Sequence, residues 1–229
     1  MKQYTLDDIF DIMKVLRGEN GCPWDRVQTH ESIRKNLIEE AYEAADAMDK
    51  DDKAFANELG DVLLQVIFHA CIASDRGAFT FDDILNELGN KLVSRHSHIF
   101  GNDTAVDAEQ ALARWEENKR KEKGLESPAQ MFDDIPKHMP ALMRAEKVQK
   151  KMASVGFLQN DAEEYMNIIK SNVGKLENAV NENQPVEENI GEILFMLAGF
   201  ARKMGVNAEE LLSKTTSKYV EKYKNSEKH

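Results

Sequence analysis

Apolar residues recur every three or four positions along most of the chain, and alternating runs of β-branched residues are scarce, so the pattern predicts helices. Ile9, Ile12, Met13 and Leu16 define a first helix after Thr5, with Asp7 and Asp8 in its first turn and GENGCPWD ending it. A second helix is expected from about Thr29 to Met48 and a third from about Ala54 to Ser74, separated by the acidic DKDDK loop. A fourth begins near Phe81 and Asp82 and ends near Arg95; HSHIFGND reads as a loop, and Ala108 to Lys123 as a polar helix. Gly124, Pro128, Pro136 and Pro140 mark a linker over 124–140. Helical patterns resume at about Ala141, with breaks near Val155 and Gly156, between Asn183 and Pro185, and at Gly205.

The second half echoes the first. ELGDVLLQVIFHA (58–70) aligns with NIGEILFMLAGFA (189–201), bringing Gly60 opposite Gly191 with matching apolar positions around them. Upstream, LIEEAYEAA (37–45) falls opposite IKSNVGKLE (169–177), one residue out of step, as a loop difference would produce. The fold class expected is all-α, as two tandem helical-bundle repeats: residues 1–123, the Pro-containing linker 124–140, and residues 141–229.

Composition narrows the function. The 229 residues are 41% hydrophobic and 31% charged, and the formal charge of −11 argues against a general nucleic-acid binder, which must neutralise phosphates. Cys22 and Cys71 have no partners at metal-ligand spacing and suggest a reducing compartment. Asp7 and Asp8 stand where a signal peptide needs its apolar core, and VLLQVIFHACIA (62–73) is too short to span a bilayer and is interrupted by Gln65 and His69. No membrane partner is expected, and the location expected is cytoplasmic.

The chemistry lies in acidic residues that share helix faces with apolar ones. Glu40 and Glu43 are spaced i, i+3, Glu39 and Glu43 i, i+4, and Glu58 and Asp61 i, i+3 on the next helix. A short loop makes the two helices antiparallel neighbours, so the acidic pairs can face each other. Two like charges ~4 Å apart repel by roughly 4 kcal/mol at an effective dielectric of ~20. A divalent cation would remove that penalty, and all-oxygen ligation suits Mg²⁺ or Mn²⁺. A solvated acidic face is the competing interpretation. A di-iron bundle needs E-x-x-H motifs that the chain lacks, and DKDDKAFANELG lacks the central glycine of an EF-hand.

The run GCPWDRVQTHESIRKNLIEEAYEAADAM, followed by ELGDVLLQVIFHA, KLVSRHSHIF and WEENKRKEK, resembles the MazG family of nucleoside triphosphate pyrophosphohydrolases. The family's E-E-x-x-E and E-x-x-D are matched by Glu39, Glu40, Glu43, Glu58 and Asp61. The resemblance implies an all-α protein, a homodimer through its helical domains, that hydrolyses nucleoside triphosphates to monophosphate and pyrophosphate with Mg²⁺. It implies Glu40, Glu43, Glu58 and Asp61 as metal ligands with Glu39 beside them. It further implies Asn36, Lys91, Arg95, Trp115 and Lys119 as substrate contacts. Trp24 reads equally as a cap over the first helix or a substrate contact, and His96 and His98, lacking a third ligand, read as structural.

The second repeat departs from that signature. Its counterparts of the five acids are Ser171, Asn172, Lys175, Asn189 and Glu192, so one acid remains and a lysine replaces a metal ligand. Catalysis is therefore expected in the first repeat, with packing, oligomerisation or regulation left to the second. The alternatives are a non-catalytic nucleotide-sensing or scaffolding protein, and a pyrophosphohydrolase of a narrower substrate such as dUTP or a phosphoribosyl nucleotide.

Overall fold

The computed structural model describes residues 2–124, 130–158 and 161–227. Among them are twelve helices and no strand, so the chain is all-α. The helices are α1 (Leu6–Arg17), α2 (Pro23–Arg26), α3 (Arg34–Ala47), α4 (Asp52–Asp75), α5 (Phe81–Arg95), α6 (Ser97–Phe100), α7 (Ala108–Glu122), α8 (Gln130–Asp133), α9 (Ala141–Ser154), α10 (Ala162–Asn181), α11 (Glu187–Lys203) and α12 (Ala208–Ser226). The chain divides into two compact units after Lys119.

Polar side chains cap several helix starts. Thr5 and Asp8 form a capping box on α1, Thr80 and Asp83 one on α5, and Asp161 and Glu164 one on α10. Asp51 caps α4 through the amides of Lys53 and Ala54. The second helix starts five residues later than the periodicity predicts. Thr29 and Ser32 exchange side-chain and backbone hydrogen bonds, and Ser32 Oγ reaches Gln28 Oε1 at 2.6 Å, which holds 29–32 as a turn. HSHIFGND holds the short α6 rather than only a loop. The helix breaks at Gly156, Asn183 and Gly205 all carry positive φ.

In the first unit α3 and α4 pack as a hairpin, with α1 and α5 against α4. The core is Met13, Ile33, Ile67, Phe68 and Ile72, with Ile9, Phe10, Leu16, Cys71 and Phe81 around it. By length and composition alone α4 could cross a membrane, having 24 residues and a window of mean hydropathy 1.3. Within this unit it buries Gln65, Ile67, Phe68, Ala70, Ile72 and Ala73, while Leu59, Leu63 and Leu64 stay exposed.

In the second unit α10 and α11 form the main hairpin, with α9 and α12 against α11. The stretch read as a linker contributes α8 and the buried Ile135; residues 125–129, with Pro128, lie outside the described residues. Tyr165 is fully buried and donates its hydroxyl to Gln149 Oε1 at 2.9 Å. Gly199 makes room for them, since a Cβ there would fall 2.5 Å from the Tyr165 ring.

Candidate active site

Helix period and hairpin register assemble the acids. Glu40 and Glu43 share a face of α3, Glu58 and Asp61 a face of α4, and the four-residue connection turns those faces together. Carboxylate oxygens of Glu40, Glu43 and Glu58 all lie within 4.8 Å of one another. Glu40 and Glu58 are partly buried and Glu43 is exposed. Burial pushes the Glu40 carboxyl above the usual carboxylate range, helped by the negative charges of Asp61, Glu43, Glu58 and Glu39, in that order. Thus the compact triad holds three of the four expected ligands, and Asp61 makes the largest charge contribution to Glu40.

This donor set fits a hard divalent cation. It offers oxygens only, and oxygens around one Mg²⁺ at about 2.1 Å stand up to about 4.2 Å apart, so small side-chain rotations would close the triad on an ion. Part of the upward push on Glu40, after that of burial, comes from the like charges around it, and a cation would relieve that part.

The other expected residues form a second group on α5 and α7. The Arg95 guanidinium lies 5.3 Å from the centroid of the Trp115 ring and Lys119 Nζ 4.7 Å from it. Asn118 ties the two helices, donating to Ser97 Oγ at 2.7 Å and to the Arg95 carbonyl at 3.4 Å. Lys91 pairs with Glu87 at 3.4 Å across one exposed turn, an interaction too weak to commit its ammonium. Asn36 is partly buried, one turn before Glu40. Trp24 is exposed and meets Phe68 edge-on at 6.3 Å. His96 Nδ1 lies 2.7 Å from the Leu92 carbonyl, and its ring centroid is 5.7 Å from that of His98.

Two polar features of α4 had shown in the sequence only as interruptions of an apolar run. Gln65 is buried, and its Oε1 has no hydrogen-bond partner among the described residues. His69 Nδ1 lies 2.8 Å from His30 Nδ1, so one ring donates and the other accepts; burial and the neighbouring ring lower the His69 pKa. The signal available was their spacing, one and two turns beyond Asp61 on the same helix.

The family profile of the MazG nucleotide pyrophosphohydrolase domain matches residues 28–100, which span α3, α4 and α5. A Thermotoga maritima protein, nucleoside triphosphate pyrophosphohydrolase/pyrophosphatase MazG, is 40% identical over 96% of this chain and 85% of its own length. The chain belongs to the MazG family. An Escherichia coli nucleoside triphosphate pyrophosphohydrolase is 38% identical over 97% of this chain and 87% of its own. An uncharacterized Bacillus subtilis protein, YabN, is 40% identical over 93% of this chain but only 44% of its own length. The acidic triad of this MazG chain lies inside the matched domain.

Proposed function

We propose that the chain is a nucleoside triphosphate pyrophosphohydrolase, a hydrolase of phosphoric anhydrides. It would convert ribo- and deoxyribonucleoside triphosphates and water to nucleoside monophosphate and pyrophosphate in its first unit, with Mg²⁺, or Mn²⁺, as cofactor. The observation that carries this reading is the convergence of Glu40, Glu43 and Glu58 within 4.8 Å around a Glu40 pushed towards protonation. The names of the MazG relatives from Thermotoga maritima and Escherichia coli support the reaction.

Glu40, Glu43, Glu58 and Asp61 would hold the metal, with Glu39 beside them to orient water or contact substrate. When bound, Mg²⁺ supplies Lewis-acid polarisation of phosphate oxygens and a more acidic water. Phosphoryl transfer otherwise asks for positioning and charge neutralisation rather than a protein nucleophile. Trp115 gathers Arg95 and Lys119 on its ring, and with Lys91 they supply cations for the triphosphate and the departing pyrophosphate. Asn36 would meet the nucleotide next to the acids.

The second unit we read as a copy of the same helical repeat without the hydrolytic site. At the aligned positions Asn172 Nδ2 donates to Glu192 Oε2 at 3.2 Å and Lys175 Nζ donates to Asn172 Oδ1 at 3.2 Å. A tethered ammonium there replaces the need for a metal. We also read the protein as a homodimer through its helices. Leu85, Leu88 and Leu92 make an exposed apolar strip on α5, and Ile38, Tyr42, Leu59 and Leu63 are exposed on α3 and α4, surfaces that a second copy would cover. The free thiols Cys22 and Cys71 accord with a cytoplasmic location.

The deciding experiment is pyrophosphate release from a panel of ribo- and deoxyribonucleoside triphosphates with Mg²⁺, for the wild type and Glu40→Gln. Monophosphate plus pyrophosphate, lost in the variant, is the expected result, and the panel gives the base preference. No turnover of any nucleotide by the wild type would overturn the reading.

A further inference from the structure

Gln65 is 6% exposed, and its amide oxygen finds no donor among the described residues. Proteins seldom tolerate a buried carbonyl oxygen without a donor, because its lost hydration is not repaid. Its buried neighbours along α4 are apolar: Ile67, Phe68 and Ala70. Packing alone would be better served by a methionine or leucine at this position.

The location gives the amide a purpose. Gln65 follows Asp61 by one helical turn and Glu58 by two, so it continues the acid-bearing face of α4. On α3, Asn36 precedes Glu40 by one turn. Because the two helices run antiparallel, both amides step away from the acids in the same direction. The second unit supplies an internal control. By the alignment that pairs Gly60 with Gly191, Gln65 corresponds to Met196; by the one that pairs Glu40 with Asn172, Asn36 corresponds to Ile168. Where the acid set is gone, both amides have become apolar. A purely architectural glutamine would have no reason to disappear together with the carboxylates.

We propose that the Gln65 amide oxygen accepts a hydrogen bond from the nucleoside part of the substrate, a sugar hydroxyl or a base N–H, and so determines specificity for the nucleoside end. The inference rests on the hydrolytic reading above. Phosphate oxygens near neutral pH are almost entirely acceptors and cannot satisfy another acceptor. The groups of a nucleoside triphosphate able to donate are its sugar hydroxyls and base N–H groups. Gln65 therefore faces the end of the ligand that the metal and the cations do not hold.

The test compares the full-length wild type with Gln65→Met, which takes the residue at the aligned position, and with Gln65→Leu should the methionine variant fail to fold. Four quantities are read: Tm, the Tm shift on adding Mg²⁺, kcat and KM on nucleotides, and inhibition by inorganic tripolyphosphate, which has no nucleoside. We expect Tm to hold or rise, because an orphaned acceptor has been removed, and the Mg²⁺ shift and tripolyphosphate inhibition to stay unchanged. We expect kcat/KM on nucleoside triphosphates to fall about tenfold to hundredfold, the usual cost of an unmatched hydrogen bond in a binding site. If a sugar hydroxyl is the donor, the wild type's discrimination against 2′,3′-dideoxynucleotides disappears in the variant. If a base N–H is the donor, the preference among bases flattens while the sugar series is unchanged. A variant that matches the wild type on every nucleotide overturns the inference. So does one that loses tripolyphosphate inhibition in the same proportion, or one that loses stability with unchanged kinetics. A wild type that releases no pyrophosphate overturns the hydrolytic reading and this inference with it; failure of the variant comparison alone overturns only this one.

Discussion

The α3–α4 and α10–α11 hairpins carry opposite solutions to the same electrostatic problem. On α3 and α4, Glu40, Glu43 and Glu58 crowd within 4.8 Å and Glu40 is pushed towards protonation by burial and by its neighbours. At the aligned positions on α10 and α11, one carboxylate remains, Glu192; Asn172 donates to it and Lys175 donates in turn to the Asn172 amide oxygen, each at 3.2 Å. The first arrangement gathers like charges, while the second replaces most of them with an amide and an ammonium. A helix pair does not need acids in order to pack, and at four of the five aligned positions the second unit has Ser171, Asn172, Lys175 and Asn189 instead.

The sharpest way to break this comparison is to remove charge without changing shape. Glu43→Gln and Asp61→Asn should each lower pyrophosphate release by at least about 100-fold, as loss of a metal-supporting group does, with the helical circular dichroism unchanged. Lys175→Met in the second unit should leave turnover at the wild-type level. Comparable losses from all three variants would place the chemistry in both units or in neither.

A smaller effect comes from the metal itself. Mg²⁺ at ten times its dissociation constant should stabilise the protein by about 1.4 kcal/mol, seen as a rise in Tm of about 5 °C. Glu43→Gln should abolish that shift, and Lys175→Met should preserve it. A shift that survives in Glu43→Gln would put the ion elsewhere.

The gentlest probe is pH. With EDTA present, the raised Glu40 pKa means that the folded state binds this proton more tightly than the unfolded chain does. Its contribution is fully present below the ordinary value of 4.5 and is lost as pH rises through the elevated folded value. Stability of the metal-free protein should therefore decline as pH rises from 4.5 through that window, and Glu40→Gln should flatten the decline. Urea midpoints at a series of pH values measure it. A wild-type profile parallel to that of Glu40→Gln would contradict the assignment.

Much of this was legible because helices write their period and their ends into the sequence. Thr5 announces the start of α1 through its own side chain, and the acids declare a shared face by i, i+3 spacing, whereas the equivalent boxes of Thr80 and Asp161 went unread. The start of α3 was hidden because Thr29 and Ser32 bond locally to the backbone, a competition that periodicity does not register. Tertiary company was equally hidden. Nothing local says that Lys119 and Arg95 meet on the Trp115 ring, or that His30 and His69 approach to 2.8 Å across 39 residues of sequence. Gln65 was visible only as a polar letter in an apolar run, because an unpaired amide oxygen exists only once its neighbours are placed.

The bare backbone at Gly199 limits what the second unit can accept. Acids at 172 and 175 would alter polar side chains of an existing hydrogen-bonded group, each change available alone. The packing behind them is different. A Cβ at 199 would collide with Tyr165 and with the Gln149 amide, so a bulky residue such as the Phe68 that stands at the aligned position of α4 does not fit unless 149, 165 and 199 change together. Positions 149, 165 and 199 thus behave as one packing unit, in which a larger side chain at one place is accepted only with smaller ones at the other two.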